Sequence, residues 1–120
     1  MAKASKATIW HNPRCSKSRE TKQLLEEQGV ELDVRLYLEA PPDEAELKEA
    51  LKALGKRPRD LLRAKEDLAK ELGLSKAEVS DADILHAMAE HPVLIERPVV
   101  FVGNKARIGR PPEDVLELLE

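Results

Sequence analysis

The chain has 120 residues, a net charge of −3 and 36% charged residues, with 2% aromatics. That length suits one domain with a real core. Basic residues are interspersed with acidic ones, which is not the footprint of a nucleic-acid binder. The apolar stretches are too short to cross a bilayer, and the polar start Met1-Ala2-Lys3-Ala4-Ser5-Lys6 lacks a signal-peptide apolar region.

The elements alternate between short apolar runs and helical patterns. Ala7 to Trp10 reads as a strand, and Ser18 to Gln28 as a helix stopped by Gly29. Val30 to Leu38 alternates and reads as a second strand, broken by Pro41-Pro42. Asp43 with Glu46 three residues on is a capping signal. It opens a helix that carries Leu47, Ala50, Leu51 and Leu54 and stops at Gly55. One or two turns follow over Arg59 to Ala64, then a short helix from Glu66 to Leu72 before Gly73. Ser80 with Asp83 caps a helix to about Glu90, ended by Pro92, with Ile84, Leu85 and Met88 inward. Pro98 to Val102 is the strongest strand. Gly103-Asn104 is a two-residue hairpin turn, and Lys105 to Ile108 returns antiparallel. Pro111-Pro112 opens a last helix carrying Val115, Leu116 and Leu119.

A parallel β-α-β unit followed by helices, a hairpin and a last helix is the thioredoxin-like plan. The expectation is a single α/β domain over residues 1–120, with a four-stranded mixed sheet and an inserted helical segment. In that plan a reactive cysteine follows the first strand, and a proline before the third strand faces it in cis form. Cys15 and Pro98 hold those two places.

Cys15 is the chain's one cysteine, so no internal disulfide can form, which fits a reducing cytoplasm. Arg14, Lys17 and Arg19 lie within four residues of it and His11 four residues before it. Cations and helix N-terminal amides stabilise a thiolate, whereas a buried inert cysteine would prefer apolar neighbours. Cys15-Ser16-Lys17-Ser18 has a serine where a resolving thiol would stand. An adduct on Cys15 must therefore be resolved by a thiol from another molecule, glutathione or a partner redoxin. Arg63, Arg97 and Arg110 stand at element boundaries, and guanidinium groups bind tetrahedral oxyanions bidentately. No spacing rule joins the three. His11 could orient or charge the thiol, or simply cap a backbone group. One Cys and three scattered His do not make a metal site, and no Walker or dinucleotide-binding glycine motif occurs.

These residues, taken in order, resemble a known family. The stretches are Trp10 to Cys15 with Ser18-Arg19 and Thr21, Leu36 to Glu39 before Pro41-Pro42, and Leu61-Leu62-Arg63. His91-Pro92, Ile95 to Val100 and Arg107 to Pro111 complete the set. Together they are similar to the glutaredoxin-coupled arsenate reductases (ArsC-like, with the YfgD-like branch nearest), which share their fold with the Spx regulators. The resemblance implies that Cys15 attacks arsenate or a similar oxyanion, that glutathione enters as co-substrate, and that a glutaredoxin resolves the intermediate. No bound cofactor is implied. It places Arg63, Arg97 and Arg110 on the oxyanion and His11, Ser18 and Arg19 around the thiol. The chain departs from the family at Ser16-Lys17, where Gly-Thr is usual, and by adding Arg14. Alternatives are an Spx-like redox regulator that binds RNA polymerase, or a folded member without turnover. A cytoplasmic monomer that binds neither nucleic acid nor membrane is expected.

Overall fold

The computed structural model describes residues 6–119; the polar stretch over residues 1–5 and the terminal Glu120 lie outside the described residues. The chain divides into two compact units. The first holds the chain up to Ala40 and again from Arg97 onward; the second is Pro41–Glu96.

The first unit is built on β1 (Lys6–Trp10), α1 (Ser16–Glu27), β2 (Glu31–Arg35), β3 (Val99–Val102) and β4 (Lys105–Ile108). The strands form one sheet in the order β2-β1-β3-β4. β1 pairs in parallel with β2, Ile9 opposite Val34, and antiparallel with β3, Ile9 opposite Val100. β3 and β4 form the antiparallel hairpin, with Val102 opposite Lys105 across the Gly103-Asn104 turn. Gly103 has φ +60°, a conformation that glycine adopts without steric cost. This is the four-stranded mixed sheet expected from the element order.

Alternation decides which face is buried. Ala7 and Ile9 of β1 and Val100 of β3 point to one side, where they pack with Leu25 of α1 and Val30. Val115, Leu118 and Leu119 of a closing 3₁₀ helix, Pro112–Leu119, complete this core. The last helix was expected from its apolar spacing; its tighter 3₁₀ winding is not signalled by that spacing. On the opposite face Trp10 meets Phe101, ring centres 4.9 Å apart, and the Arg35 guanidinium lies 5.8 Å from the Trp10 ring.

The two largest boundary differences from the sequence reading in the first unit fall in β2 and α1. β2 stops at Arg35 instead of running to Leu38, because the Leu36 carbonyl accepts from the amides of Glu39 and Ala40 and closes a turn. Tyr37 is buried in that turn while Leu36 and Leu38 stay exposed. α1 begins at Ser16, two residues earlier than expected, which makes Cys15 its N-cap.

The second unit carries α2 (Glu44–Leu54), α3 (Pro58–Leu61), α4 (Asp67–Glu71) and α5 (Asp81–Glu90). Asp43 accepts from the Glu46 amide at 2.8 Å, and Glu46 accepts in return from the Asp43 amide, the reciprocal capping box. Gly55 ends α2 in the left-handed conformation. Ser80 caps α5 by accepting from the Asp83 amide at 3.1 Å. Leu47, Leu61, Ile84 and Met88 are fully buried. α3 is a single turn, since Leu62 leaves it to bridge antiparallel to Ile95. Arg63 then donates its amide to the Leu94 carbonyl at 2.7 Å.

Candidate active site around Cys15

Cys15 sits where β1 hands over to α1. Its amide donates to the Asn12 carbonyl at 3.0 Å, closing a tight turn, and its own carbonyl accepts the first helical bond from Arg19. The Asn12 side chain accepts from the Arg14 amide at 3.0 Å, and Arg19 donates from Nη1 to the Pro13 carbonyl at 2.9 Å. These bonds brace the turn from within and from the helix. The amides of Ser18 and Lys17 face Sγ from the first turn of α1, without closing a formal cap bond.

Two arginines reach the sulfur from the far end of the chain. Arg110 lies 95 residues from Cys15, yet its Nη2 donates to Sγ at 3.6 Å. Its Nε donates to the Arg97 carbonyl at 2.8 Å, so one guanidinium ties the two arginine stretches together. The Arg97 guanidinium also lies beside the sulfur and favours the thiolate, and among the described residues its Nε is a buried donor with no partner. A buried donor without an acceptor is costly and suits an anion. Arg97-Pro98 is a cis peptide bond, as the thioredoxin-like plan anticipates, and Arg110-Pro111 is a second one.

Burial pushes the Cys15 thiol up. The Ser18 amide, the Arg97 guanidinium and the Lys17 amide outweigh it and bring the thiol below its ordinary value. Arg14 and Arg19 stand closer in sequence, but the geometry assigns them otherwise. Arg14 is exposed, Arg19 is turned to Pro13, and the side chain of Lys17 pairs with Glu20 at 3.7 Å.

His11 and Ser18 are both buried, and His11 Nδ1 lies 2.6 Å from Ser18 Oγ. Ser18 Oγ also accepts from the Asn12 amide at 3.0 Å. With that acceptor position filled, the hydroxyl proton is free to bond Nδ1 of a neutral imidazole. Burial, then Lys22 and Arg19, hold His11 below its usual range, which favours the neutral ring. His11 therefore fastens the serine of the thiol turn.

Arg63 belongs to the second unit. Its Nε lies 3.7 Å from Glu66 and 3.6 Å from Glu96, and among the described residues its Nη1 is buried without a partner. His86, exposed on α5, lies 3.5 Å from Glu44 and 2.7 Å from Glu90, and His91 is the C-cap of α5.

Two further residues belong to the site. Thr21 is completely buried and donates from Oγ1 to the Lys17 carbonyl at 2.8 Å. Gly109 is buried against it, and its amide donates to the Pro98 carbonyl at 2.9 Å. A helical threonine and a strand-end glycine give no local signal of such a contact.

Known proteins match this chain along nearly its whole length. The uncharacterized protein YfgD of Escherichia coli (strain K12) is 56% identical over 112 residues, covering 92% of this chain and 94% of the relative. An arsenate reductase of Neisseria meningitidis serogroup A is 47% identical over 112 residues, covering 92% and 96%. The structure of an arsenate reductase from Vibrio cholerae superposes with a TM-score of 0.93 at 52% identity, covering 97% of this chain and 99% of that one. The ArsC family pattern matches residues 10–118, and with such relatives on either side this chain belongs to the ArsC family.

Proposed function

We propose that the protein is an arsenate reductase whose nucleophile is the Cys15 thiolate. The observation that carries the reading is the sulfur itself, held at a helix N-terminus with Arg110 Nη2 at 3.6 Å and the Arg97 guanidinium favouring its charged form. Arsenate is a tetrahedral oxyanion, and such a pocket both lowers the thiol and binds the anion that the thiol attacks. The relatives from Neisseria meningitidis and Vibrio cholerae, both named arsenate reductases, support that substrate.

In the proposed reaction Cys15 Sγ forms a bond to arsenic and an arsenate oxygen leaves as water after protonation. Glutathione then attacks the adduct, and a second thiol, carried by a glutaredoxin, completes the reduction. Arsenic(V) takes two electrons and becomes arsenite, while two external thiols give up those electrons and become a disulfide. Summed, hydrogen arsenate, two thiols and two protons yield arsenous acid, a disulfide and one water. The external thiols are required because the chain has a single cysteine. Ser18, in the place of a resolving thiol, is buried and bonded to His11 and Asn12.

Arg97 and Arg110 are proposed to hold the oxyanion, and Arg63 is assigned the same role by family resemblance. Pro98 follows Arg97 and shapes its approach. No helix among the described residues is long and apolar enough to cross a membrane, and we place the reaction in the cytoplasm, where reduced glutathione is plentiful. A monomer suffices for this chemistry.

The test is arsenate-dependent NADPH oxidation coupled through glutathione, glutaredoxin and glutathione reductase. Wild type should turn over and Cys15→Ser should not. Full activity in Cys15→Ser would falsify the reading.

A further inference from the structure

We propose that Gly109 is a positioning residue of the thiol site, needed because α1, Pro98 and the backbone leading to Arg110 meet at a point where no side chain fits. The inference deepens the reading of Cys15 as nucleophile and rests on it. A methyl group at Gly109 would sit 2.6 Å from Thr21 Oγ1, 2.9 Å from Pro98 Cγ and 3.1 Å from Thr21 Cγ2. Ordinary carbon contacts lie at about 3.5–4 Å, so something must move by roughly an ångström. Neither neighbour yields easily. Thr21 is β-branched, completely buried and bonded to the Lys17 carbonyl, and the other neighbour is a proline ring.

Space is the reason for glycine here. The glycines with positive φ are Gly29, Gly55, Gly73 and Gly103, and Gly109 is not among them. Each neighbour also bears on the sulfur. Thr21 clasps the turn that contains Lys17 and Ser18, whose amides face Sγ. Pro98 accepts the Gly109 amide and follows Arg97, whose guanidinium helps to lower the thiol. Arg110 is the next residue, bonded to the Arg97 carbonyl at 2.8 Å and to Sγ at 3.6 Å. Displacing Gly109 shifts the backbone that carries Arg110, whose guanidinium is held at 3.6 Å from the sulfur.

The experiment is the pH dependence of Cys15 alkylation by iodoacetamide in Gly109→Ala, with thermal unfolding measured alongside. The midpoint should rise by about half to one pH unit, which slows alkylation roughly 3- to 10-fold on the acid side and leaves the alkaline plateau unchanged. A lowered melting temperature with an unmoved midpoint means a purely structural role and overturns the proposal. If Gly109→Ala does not fold, Gly109→Ala/Thr21→Ala is compared with Thr21→Ala alone. The Pro98 contact remains in that pair, so a higher midpoint in the double variant supports the proposal and equal midpoints reject it. Iodoacetamide reads the thiol whatever the substrate is. An absence of arsenate turnover would therefore count against the proposed function alone.

Discussion

At the scale of the residue, reactivity at Cys15 comes from groups distant in sequence. Burial raises the thiol, and the Ser18 amide and Arg97 reverse this. The alkylation midpoint of the wild type should accordingly fall below the free-thiol value of about 8.5. In Arg97→Ala it should move back up, and a midpoint that stays put would show that the guanidinium does not set it. Arsenate affinity in Arg97→Ala or Arg110→Ala should drop by about 1.5–3 kcal/mol, the worth of a charged hydrogen bond, in a titration that follows protection of Cys15 from alkylation. His11 gives a pH dependence of stability. Its folded pKa is lowered, so the unfolded chain takes up the proton first. Stability is complete above the unfolded value of about 6.5 and declines as pH falls toward the lower folded value. Urea unfolding at pH 7.5 and 5.5 should show this loss in wild type and a smaller one in His11→Gln.

At the scale of the element, the local signals in the sequence were the dependable ones. Asp43 and Glu46 stand three residues apart and form the reciprocal cap as their spacing predicts. Asp43→Ala should therefore cost about 1 kcal/mol in chemical denaturation, with the site in the first unit unaffected. Ser80 and the Gly103-Asn104 turn were legible for the same reason, since each acts within a few residues. β2 was overextended because Leu36 to Leu38 keep the apolar composition of a strand, while a turn at the Leu36 carbonyl takes their backbone. Cys15 as an N-cap was only half visible. The sequence points to the nearby cations as the source of charge at the sulfur, whereas Arg19 braces Pro13 and Lys17 pairs with Glu20. Arg97 and Arg110 hold the positions at the sulfur, and no sequence spacing could announce a contact across 95 residues.

At the scale of the whole molecule, the first unit is held by an apolar core that joins its sheet to α1 and the closing 3₁₀ helix. Ile9 and Val100 are fully buried at the middle of the sheet, while Val34 on the edge strand β2 is 37% exposed. Amide exchange should reflect that order, with β1 and β3 among the last positions to exchange and β2 earlier. Ile9→Ala should destabilise by about 2–5 kcal/mol in denaturant unfolding, since it empties a site enclosed by Leu25, Val100 and Val115. The α/β class and the mixed sheet were readable from element order, because a parallel β-α-β unit and a hairpin leave few ways to pair. The close approach at Gly109 was not, since it depends on three backbone stretches arriving together.

The pairing of Thr8 with Phe101 and the reach of Arg110 to Cys15 have a consequence for how the protein comes into being. On the ribosome the cysteine emerges long before the segment that holds Arg97 and Arg110. A nascent chain that has exposed β1 and α1 has neither guanidinium beside the thiol, only the Ser18 and Lys17 amides of α1. Only when β3 and β4 close onto β1 does the sulfur acquire its charge partners. Synthesis order thus adds the two guanidinium groups to the sulfur last.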